Sequence, residues 1–354
     1  MLCRRISGLA VVVAVVLAPQ AVRAGAAAHV QVLTDAEAWK CMPPADEGSD
    51  QPLPAWVRAL AWSLPKTAAA MIELDYAHRA QSPLPERLRA KLRWVAADAN
   101  RCEYAKAYAR ADYVRAGGRA EDIDDLPRQL GQLPEEERLA LQLVRQLVLE
   151  AYSVTDAQVK RLVQLYGERQ VVAIVLVAAY ANFQDRLLLA LGVPVEKDGP
   201  LPPVKVRFRK PPPPAKPAEP SKDAPGGKSG EAPKRNLSPP AKNPPPVPEK
   251  VDDPEWTAVS FDSLRERLKH QIARRQARVH VPDWETVRDG LPEGMPKPEK
   301  PIRIRWSLVT MGYQPRLSVA WTGGLRAFHQ DSDLDPVFHE SMFWVVTRSL
   351  QCFY

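Results

Sequence analysis

The sequence predicts an all-α protein built from two helical modules, and three observations lead to this prediction. Apolar residues recur at helical spacing through most of residues 54–192. Proline is abundant, with 36 residues, and many of the prolines lie in one stretch between the modules. Shifting the sequence by 250 residues aligns the end of the chain with the first module. We therefore expect a helical-bundle module, a disordered proline-rich linker and a partial second helical module.

Residues 1–24 have the pattern of an export signal peptide. A basic start containing Arg4 and Arg5 precedes the apolar run GLAVVVAVVLA, and small residues follow up to Ala24. The run is shorter than the roughly 18 apolar residues that a membrane anchor needs. We therefore expect cleavage near Ala24, no transmembrane span after cleavage, and an exported, periplasmic or otherwise extracytoplasmic protein.

Within the first module, at residues 30–195, local signals predict where helices begin and end. Thr155 and Gln158 form a capping-box pattern ahead of an apolar stripe. The pair Gly117-Gly118 and the single Gly167 are predicted helix ends. The segment RQVVAIVLVAAYANFQDRLLLALG is apolar nearly all round in its first half. It is therefore expected to be the buried central helix of a bundle or an oligomer interface.

Residues 196–253 are expected to be an extended, disordered linker because their proline-rich composition cannot build a core. Between positions 200 and 248 there are ten Lys/Arg against three Asp/Glu, which accounts for the formal charge of +7 on the whole chain. This location favours a solubilising spacer, and leaves open weak contact with an anionic surface or a proline-motif ligand. It does not predict nucleic-acid binding.

The second module, at residues 254–354, repeats the first. LRWVAADANRCEY and MFWVVTRSLQCFY share the pattern W-V-x6-C-x-Y at an offset of 250 residues. Four further identities keep the same offset: Pro65 with Pro315, Ala70 with Ala320, Ser82 with Ser332, and Leu84 with Leu334. The second copy is expected to be truncated, because the helices that follow Tyr104 have no counterpart in it.

The repeated cysteine suggests thiol chemistry. Cys41, Cys102 and Cys352 remain after signal cleavage, and this odd, sparse set argues against a disulfide framework. A cysteine at a helix start can be activated because the helix N-terminus favours the thiolate. In a Cys-x-x-Cys arrangement a second sulfur can resolve the oxidised first one as a disulfide.

Residues 54–195 resemble the carboxymuconolactone decarboxylase and alkyl hydroperoxidase D-like superfamily. The resemblance lies in NRCEYAKAYARADYVRAGG, EEERLALQLVRQL, SVTDAQVKRLV and VVAIVLVAAYANFQDRLLLALGVP. It implies an all-α, commonly oligomeric protein, and its peroxidase members carry the motif Glu-x11-Cys-x2-Cys-x3-His. Lactone decarboxylation is implied only at the level of the fold.

In the first copy, three of the four positions of this motif have lost their functional residue. Cys102 matches the first cysteine, but Ala90, Ala105 and Ala109 occupy the positions of the glutamate, the second cysteine and the histidine. The peroxidase cycle cannot run with these residues. Cys102 is therefore expected to be a small buried helix residue, and it is kept only as a degenerate catalytic candidate.

The second copy keeps more of the motif. Glu340 lies twelve residues before Cys352, matching the glutamate and the first cysteine. The second cysteine and the histidine would fall at positions 355 and 359. One hypothesis is a selenocysteine codon read as a stop; a frameshift, a nonsense mutation or an incomplete gene model are the alternatives.

The resemblance implies a thiol- or selenol-dependent peroxidase that uses a hydroperoxide and a dithiol reductant, and that is active only in a full-length form because the Cys352 motif is incomplete in this chain. Cys352 would be one of the redox pair and Glu340 a proton-relay acid. A homo-oligomer is expected, and neither a cofactor nor a metal site is predicted. The alternative is a non-catalytic helical oligomerisation or binding protein that has lost the chemistry of the family.

Overall fold

The structure is a computed structural model that describes residues 28–209, 276–292 and 301–349, with scattered positions between 260 and 300. The predicted signal peptide, most of the predicted linker and Cys352 lie outside the described residues. The described part is helical apart from loops and one small two-stranded sheet, so the predicted all-α fold is confirmed.

Nine α-helices, two short 3-10 helices (Leu130–Gln132 and Ala151–Ser153) and two short strands make up the described part of the first module. The helices are α1 (Asp35–Cys41), α2 (Ala55–Leu60), α3 (Pro65–Ala80), α4 (Glu86–Asn100), α5 (Glu103–Arg115), α6 (Ala120–Asp124), α7 (Leu126–Gln129), α8 (Glu135–Glu150) and α9 (Asp156–Leu191). Strands β1 (Ala45–Glu47) and β2 (Arg207–Phe208) pair antiparallel.

Local sequence signals set the helix ends as predicted. The Thr155 side chain accepts from the backbone N–H of Gln158, whose side chain in turn accepts from the backbone N–H of Thr155, which completes a capping box at the start of α9. Gly117, with φ of 78°, and Gly118 donate back to carbonyls in the last turn of α5, as in a Schellman motif. Gly167 has φ of 73° and ψ of 160°, so it kinks α9 where a helix end is predicted.

Helix α9 is the long apolar helix of the first module. By length and composition it could cross a membrane, but 61% of its apolar window is buried inside the structure. It packs against α4 and α8, with Ile174 and Val177 fully buried. This placement matches the predicted buried central helix of a bundle.

Two buried clusters form the core. One includes Trp56, Ile72 and Tyr108, and the other includes Leu92 and Leu141. Burial of such side chains contributes about 1.5–3 kcal/mol each relative to exposure. Helices α4 and α5 contribute to both clusters, so they connect the two halves of the module.

The predicted linker begins too early, because residues 196–209 pack on the first module. Glu196 accepts a hydrogen bond from the Tyr104 hydroxyl at 2.7 Å. Val204, Val206 and Phe208 are buried, and the last of these lies in β2. These three apolar residues alternate with charged ones, which is a strand pattern that the surrounding prolines obscure. The described part of the module therefore extends to residue 209.

The helices of the second module repeat those of the first. They are α10 (Trp284–Asp289), α11 (Arg305–Tyr313), α12 (Pro315–Asp331) and α13 (Pro336–Ser349). Helices α11, α12 and α13 begin 250 residues after α2, α3 and α4.

Backbone dihedral angles and one turn hydrogen bond also repeat at the offset of 250 residues. The residue before α12, Gln314, has φ of −137° and ψ of 59°, and its counterpart Leu64 has −135° and 61°. The backbone N–H of Leu334 donates to Ser332 Oγ, as that of Leu84 donates to Ser82 Oγ.

The two modules contact each other through equivalent helices, since α12 packs against α3. Asp331, at the end of α12, accepts hydrogen bonds from the backbone N–H and the hydroxyl of Thr67 at 2.7 and 2.9 Å. Thr67 lies in the first turn of α3, where a carboxylate also interacts favourably with the helix dipole. A second contact joins the Gln314 side chain to the Arg169 carbonyl in α9 at 2.8 Å.

Helix α13 differs from its counterpart α4 in burial. Helix α4 is covered by α5, α8 and α9, whereas none of the described helices packs along α13. Val337, Phe343 and Val345 are 73%, 62% and 59% exposed. The second module therefore presents an apolar helix whose counterpart in the first module lies in the core.

Candidate functional site

Cys102 lies at the N-cap position of α5, following Arg101 in a left-handed turn. Its side chain is 1% exposed. Burial raises the pKa of the thiol to about 12, although backbone N–H groups of the first turn act in the opposite direction. Cys102 is therefore protonated at neutral pH and shielded from solvent, which does not favour nucleophilic chemistry.

The three alanines of the degenerate motif are also buried. Ala90 and Ala109 belong to one core cluster, while Ala105 lies with Cys102 in the other. Methyl groups therefore fill the positions where the resemblance would place an acid, a second thiol and an imidazole. The first module has no thiol pair or proton relay at these positions.

In the second module, Glu340 lies on α13 with its side chain 76% exposed. It lies on an open, mostly apolar surface of α13, together with Val337, Ser341 and Trp344. Cys352 lies outside the described residues. The structure therefore places the acid of the half-motif at an accessible surface.

The sequence reasoning missed a buried ionic cluster between α3, α4 and α5. Arg79 donates to Asp75 at 3.1 Å and to both carboxylate oxygens of Asp112 at 2.8 Å, and its side chain is 1% exposed. Burial would lower the pKa of Arg79, but the two carboxylates outweigh it and raise that pKa. Arg93 also donates to Asp112, at 2.7 Å. This geometry holds the Arg79 guanidinium charged within the module.

A second set of buried polar groups continues from this cluster into α9. Asp75 accepts from the Tyr180 hydroxyl at 3.0 Å and from the Gln184 amide at 3.2 Å. The His78 ring stacks on that of Tyr180 with centroids 4.3 Å apart, and its Nδ1 has no hydrogen-bond partner. Burial, with the nearby positive charge of Arg93, lowers the pKa of His78 to about 3. The imidazole is therefore neutral at physiological pH.

One sequence signal could have revealed this cluster. Arg89 and Arg93 lie four residues apart on the face of α4 that also carries Leu92 and Ala96, and all four are buried. Charged residues on the apolar face of a predicted helix are rarely buried without partners. The partners come from other helices, so the sequence could indicate the arginines but not what they contact.

Within the described residues, no group of three or more His, Cys, Asp or Glu side chains is placed to hold a metal ion. Comparison of the chain with family models, with curated proteins and with solved structures finds no match.

Proposed function

We propose that this chain is an exported carboxymuconolactone decarboxylase-like protein in which thiol peroxidase chemistry belongs to the second module. Cys352 is its redox thiol and Glu340 its proton-relay acid, while the first module is a non-catalytic scaffold. The observation that supports the proposal is that three helices of the second module begin 250 residues after their counterparts in the first module. This offset gives Glu340 on α13 the position that Ala90 has on α4.

The burial of Cys102 supports the division of roles. A thiol with a pKa of about 12 in a closed core cannot supply the thiolate that attacks a peroxide. By contrast, the Glu340 side chain lies on an open surface of α13 that a small substrate can reach. A reaction at Glu340 and Cys352 in the second module therefore does not require the core of the first module to become exposed to solvent.

The proposed reaction begins with attack of the Cys352 thiolate on the terminal oxygen of a hydroperoxide. A sulfur–oxygen bond forms as the oxygen–oxygen bond breaks, and the alcohol leaves with the proton that Glu340 has taken from the Cys352 thiol and relays to it. One thiol of an external dithiol then displaces water from the sulfenic acid and forms a mixed disulfide. The second thiol displaces the Cys352 thiolate and leaves the reductant as a disulfide.

The test measures dithiol-dependent hydroperoxide reduction by the chain and trapping of a sulfenic acid at Cys352. We expect Cys352→Ser to abolish both signals and Glu340→Gln to slow reduction by about 100-fold. Cys102→Ser is the matched control, because its thiol is buried, and it should retain the activity. If the chain consumes no hydroperoxide, or if Cys352→Ser matches the parent, the peroxidase assignment is wrong.

The exposed apolar face of α13 favours a second candidate, a non-catalytic helical oligomerisation protein. The proposed occupant of this face is a second copy of the chain. Within one chain, two copies of the module already pair through the equivalent helices α3 and α12. The exposed side chains of α13 are mostly apolar, so charge complementarity does not point to a strongly acidic or basic partner.

A further inference from the structure

A cavity of about 180 Å³ lies beside the buried ionic cluster of the first module. Arg79, Arg89 and Arg93 line it from α3 and α4, while Asp112 and Arg115 line it from α5. Its volume is below the roughly 300–1,000 Å³ of pockets that hold drug-sized ligands. Only a small molecule fits.

The charges around this cavity do not balance. Four arginines, Arg79, Arg89, Arg93 and Arg115, line it together with two carboxylates, Glu86 and Asp112. Asp112 is already engaged, because it accepts from Arg79, Arg93 and Arg115. The lining therefore has an excess of two formal positive charges over its carboxylates. Leaving a buried charge uncompensated is costly.

Arg89 has no carboxylate hydrogen-bonded to it among the described residues, although Glu86 lines the same cavity. Its Nη1 donates to the carbonyls of Ser82 and Leu84 at 3.3 and 3.2 Å, and no hydrogen bond joins its Nε or Nη2 to the described residues. Burial lowers the pKa of Arg89; the Glu86 carboxylate opposes this shift, and the positive charge of Arg93 adds to it. Arg93 uses only its Nη1, toward Asp112. Unused guanidinium nitrogens thus remain on two arginines that line the cavity.

We propose that this cavity binds a small oxyanion, a carboxylate or a phosphate, between the guanidinium groups of Arg89 and Arg93. Guanidinium forks match both anions because each presents paired oxygens to paired N–H donors. Arg115, which also lines the cavity and is 36% exposed, adds a positive charge that can attract an anion from solvent. The site lies beside Ala90, which also lines the cavity, and does not depend on chemistry at Cys352.

The test is isothermal titration of the whole chain with sodium phosphate and with sodium acetate, at ionic strength held constant with sodium chloride. Saturable binding of phosphate alone assigns a phosphate site, binding of acetate alone a carboxylate site, and binding of both a general oxyanion site. Whichever anion binds should also raise the Tm relative to chloride, since it binds the folded state. If neither anion binds above the chloride control, the proposal is overturned.

Two substitutions test whether the anion binds in this cavity. Arg89→Gln should weaken binding by about tenfold or more, which corresponds to about 1.4 kcal/mol. Arg110→Gln is the matched control on α5, because Arg110 pairs with Asp124 at the surface outside the cavity, and it should bind as the parent does. Equal weakening by both variants would overturn the assignment.

A second variant covers the case in which Arg89→Gln does not fold. Ala116 lines the cavity and is half-buried at the end of α5. Ala116→Glu would place a tethered carboxylate at the arginines and should abolish binding of the free anion. If Ala116→Glu binds the anion as tightly as the parent, the cavity is not the site.

Discussion

At the scale of single residues, burial decides the chemistry more than position along a helix does. Cys102 has the N-cap position that favours a thiolate, yet burial outweighs the backbone N–H groups and raises its pKa. His78 has no hydrogen-bond partner at Nδ1 and lies near arginines, and burial keeps it neutral. In both groups the desolvation of the charged form is the largest effect.

Asp185 in α9 supports a pH-dependent prediction. Burial raises the pKa of its carboxyl to about 6 from an ordinary value of 3.8, although a hydrogen bond from Asn100 opposes the shift. Between these two pH values the folded state binds more protons than the unfolded state, so this group removes stability as the pH rises through the window. Above pH 6 the ionised carboxylate lowers the free energy of unfolding by about 3 kcal/mol.

We therefore expect Asp185→Asn to be more stable than the parent at pH 7.5, by up to about 3 kcal/mol. The difference should shrink as the pH falls from 6 to 4, and an amide oxygen can still accept from Asn100. Denaturant unfolding at a series of pH values measures it, and the titration of His78 cancels in the difference between the two proteins. Parallel stability curves at all pH values would contradict the predicted pKa shift.

At the scale of helices, the repeat shows that two helices with a similar sequence pattern can differ in how much of their surface is buried. Helix α4 is a core helix because α5, α8 and α9 cover it, whereas no described helix packs along α13. Trp94 is 3% exposed on α4, and its counterpart Trp344 is 48% exposed on α13. The periodicity of each helix is local, but its burial depends on helices far away in the sequence.

The contact between α3 and α12 is expected to depend on Asp331. Replacing Asp331 by Ala removes an acceptor of two hydrogen bonds at the first turn of α3, and should cost about 1–2 kcal/mol of the free energy that holds α12 in place. Hydrogen exchange should show lower protection in α12 and in the first turn of α3. Asp333→Ala, at an exposed position nearby, is the control. Equal exchange in both variants would show that the contact contributes little.

At the scale of the whole molecule, the first module has a buried core, whereas helix α13 of the second module is exposed. In the described part of the chain, both buried core clusters consist of residues up to 208, and the second module contributes none of them. The second module packs on the outside of α3 and α9. A large exposed apolar surface is characteristic of an interface between proteins.

We predict that the whole chain self-associates through α13. Light scattering coupled to size-exclusion chromatography should show a mass that rises with concentration toward a dimer. Phe343→Ser should shift this transition to about tenfold or more higher concentration, because it removes a large apolar side chain from the contact. Trp62→Ser is the control, since Trp62 is 71% exposed on the first module. A monomer at all concentrations, or an equal effect of both variants, would refute self-association through this face.

The sequence alone was sufficient to predict the features that depend on neighbouring residues. The capping box at Thr155, the helix end at Gly117 and the kink at Gly167 all lie where the sequence predicts a helix boundary. These features arise from backbone conformation and hydrogen bonds within a few residues. The all-α class could be predicted for the same reason, because helical periodicity is a local pattern.

Only the tertiary structure decided the burial and the partners of individual groups. It placed Cys102 in a closed core, packed residues 196–209 onto the first module, and brought Arg79, Arg89 and Arg93 around one cavity. Each of these outcomes joins segments that are far apart in sequence, such as Asp75 and Tyr180. Desolvation and charge compensation depend on such long-range contacts, and a sequence pattern does not record them.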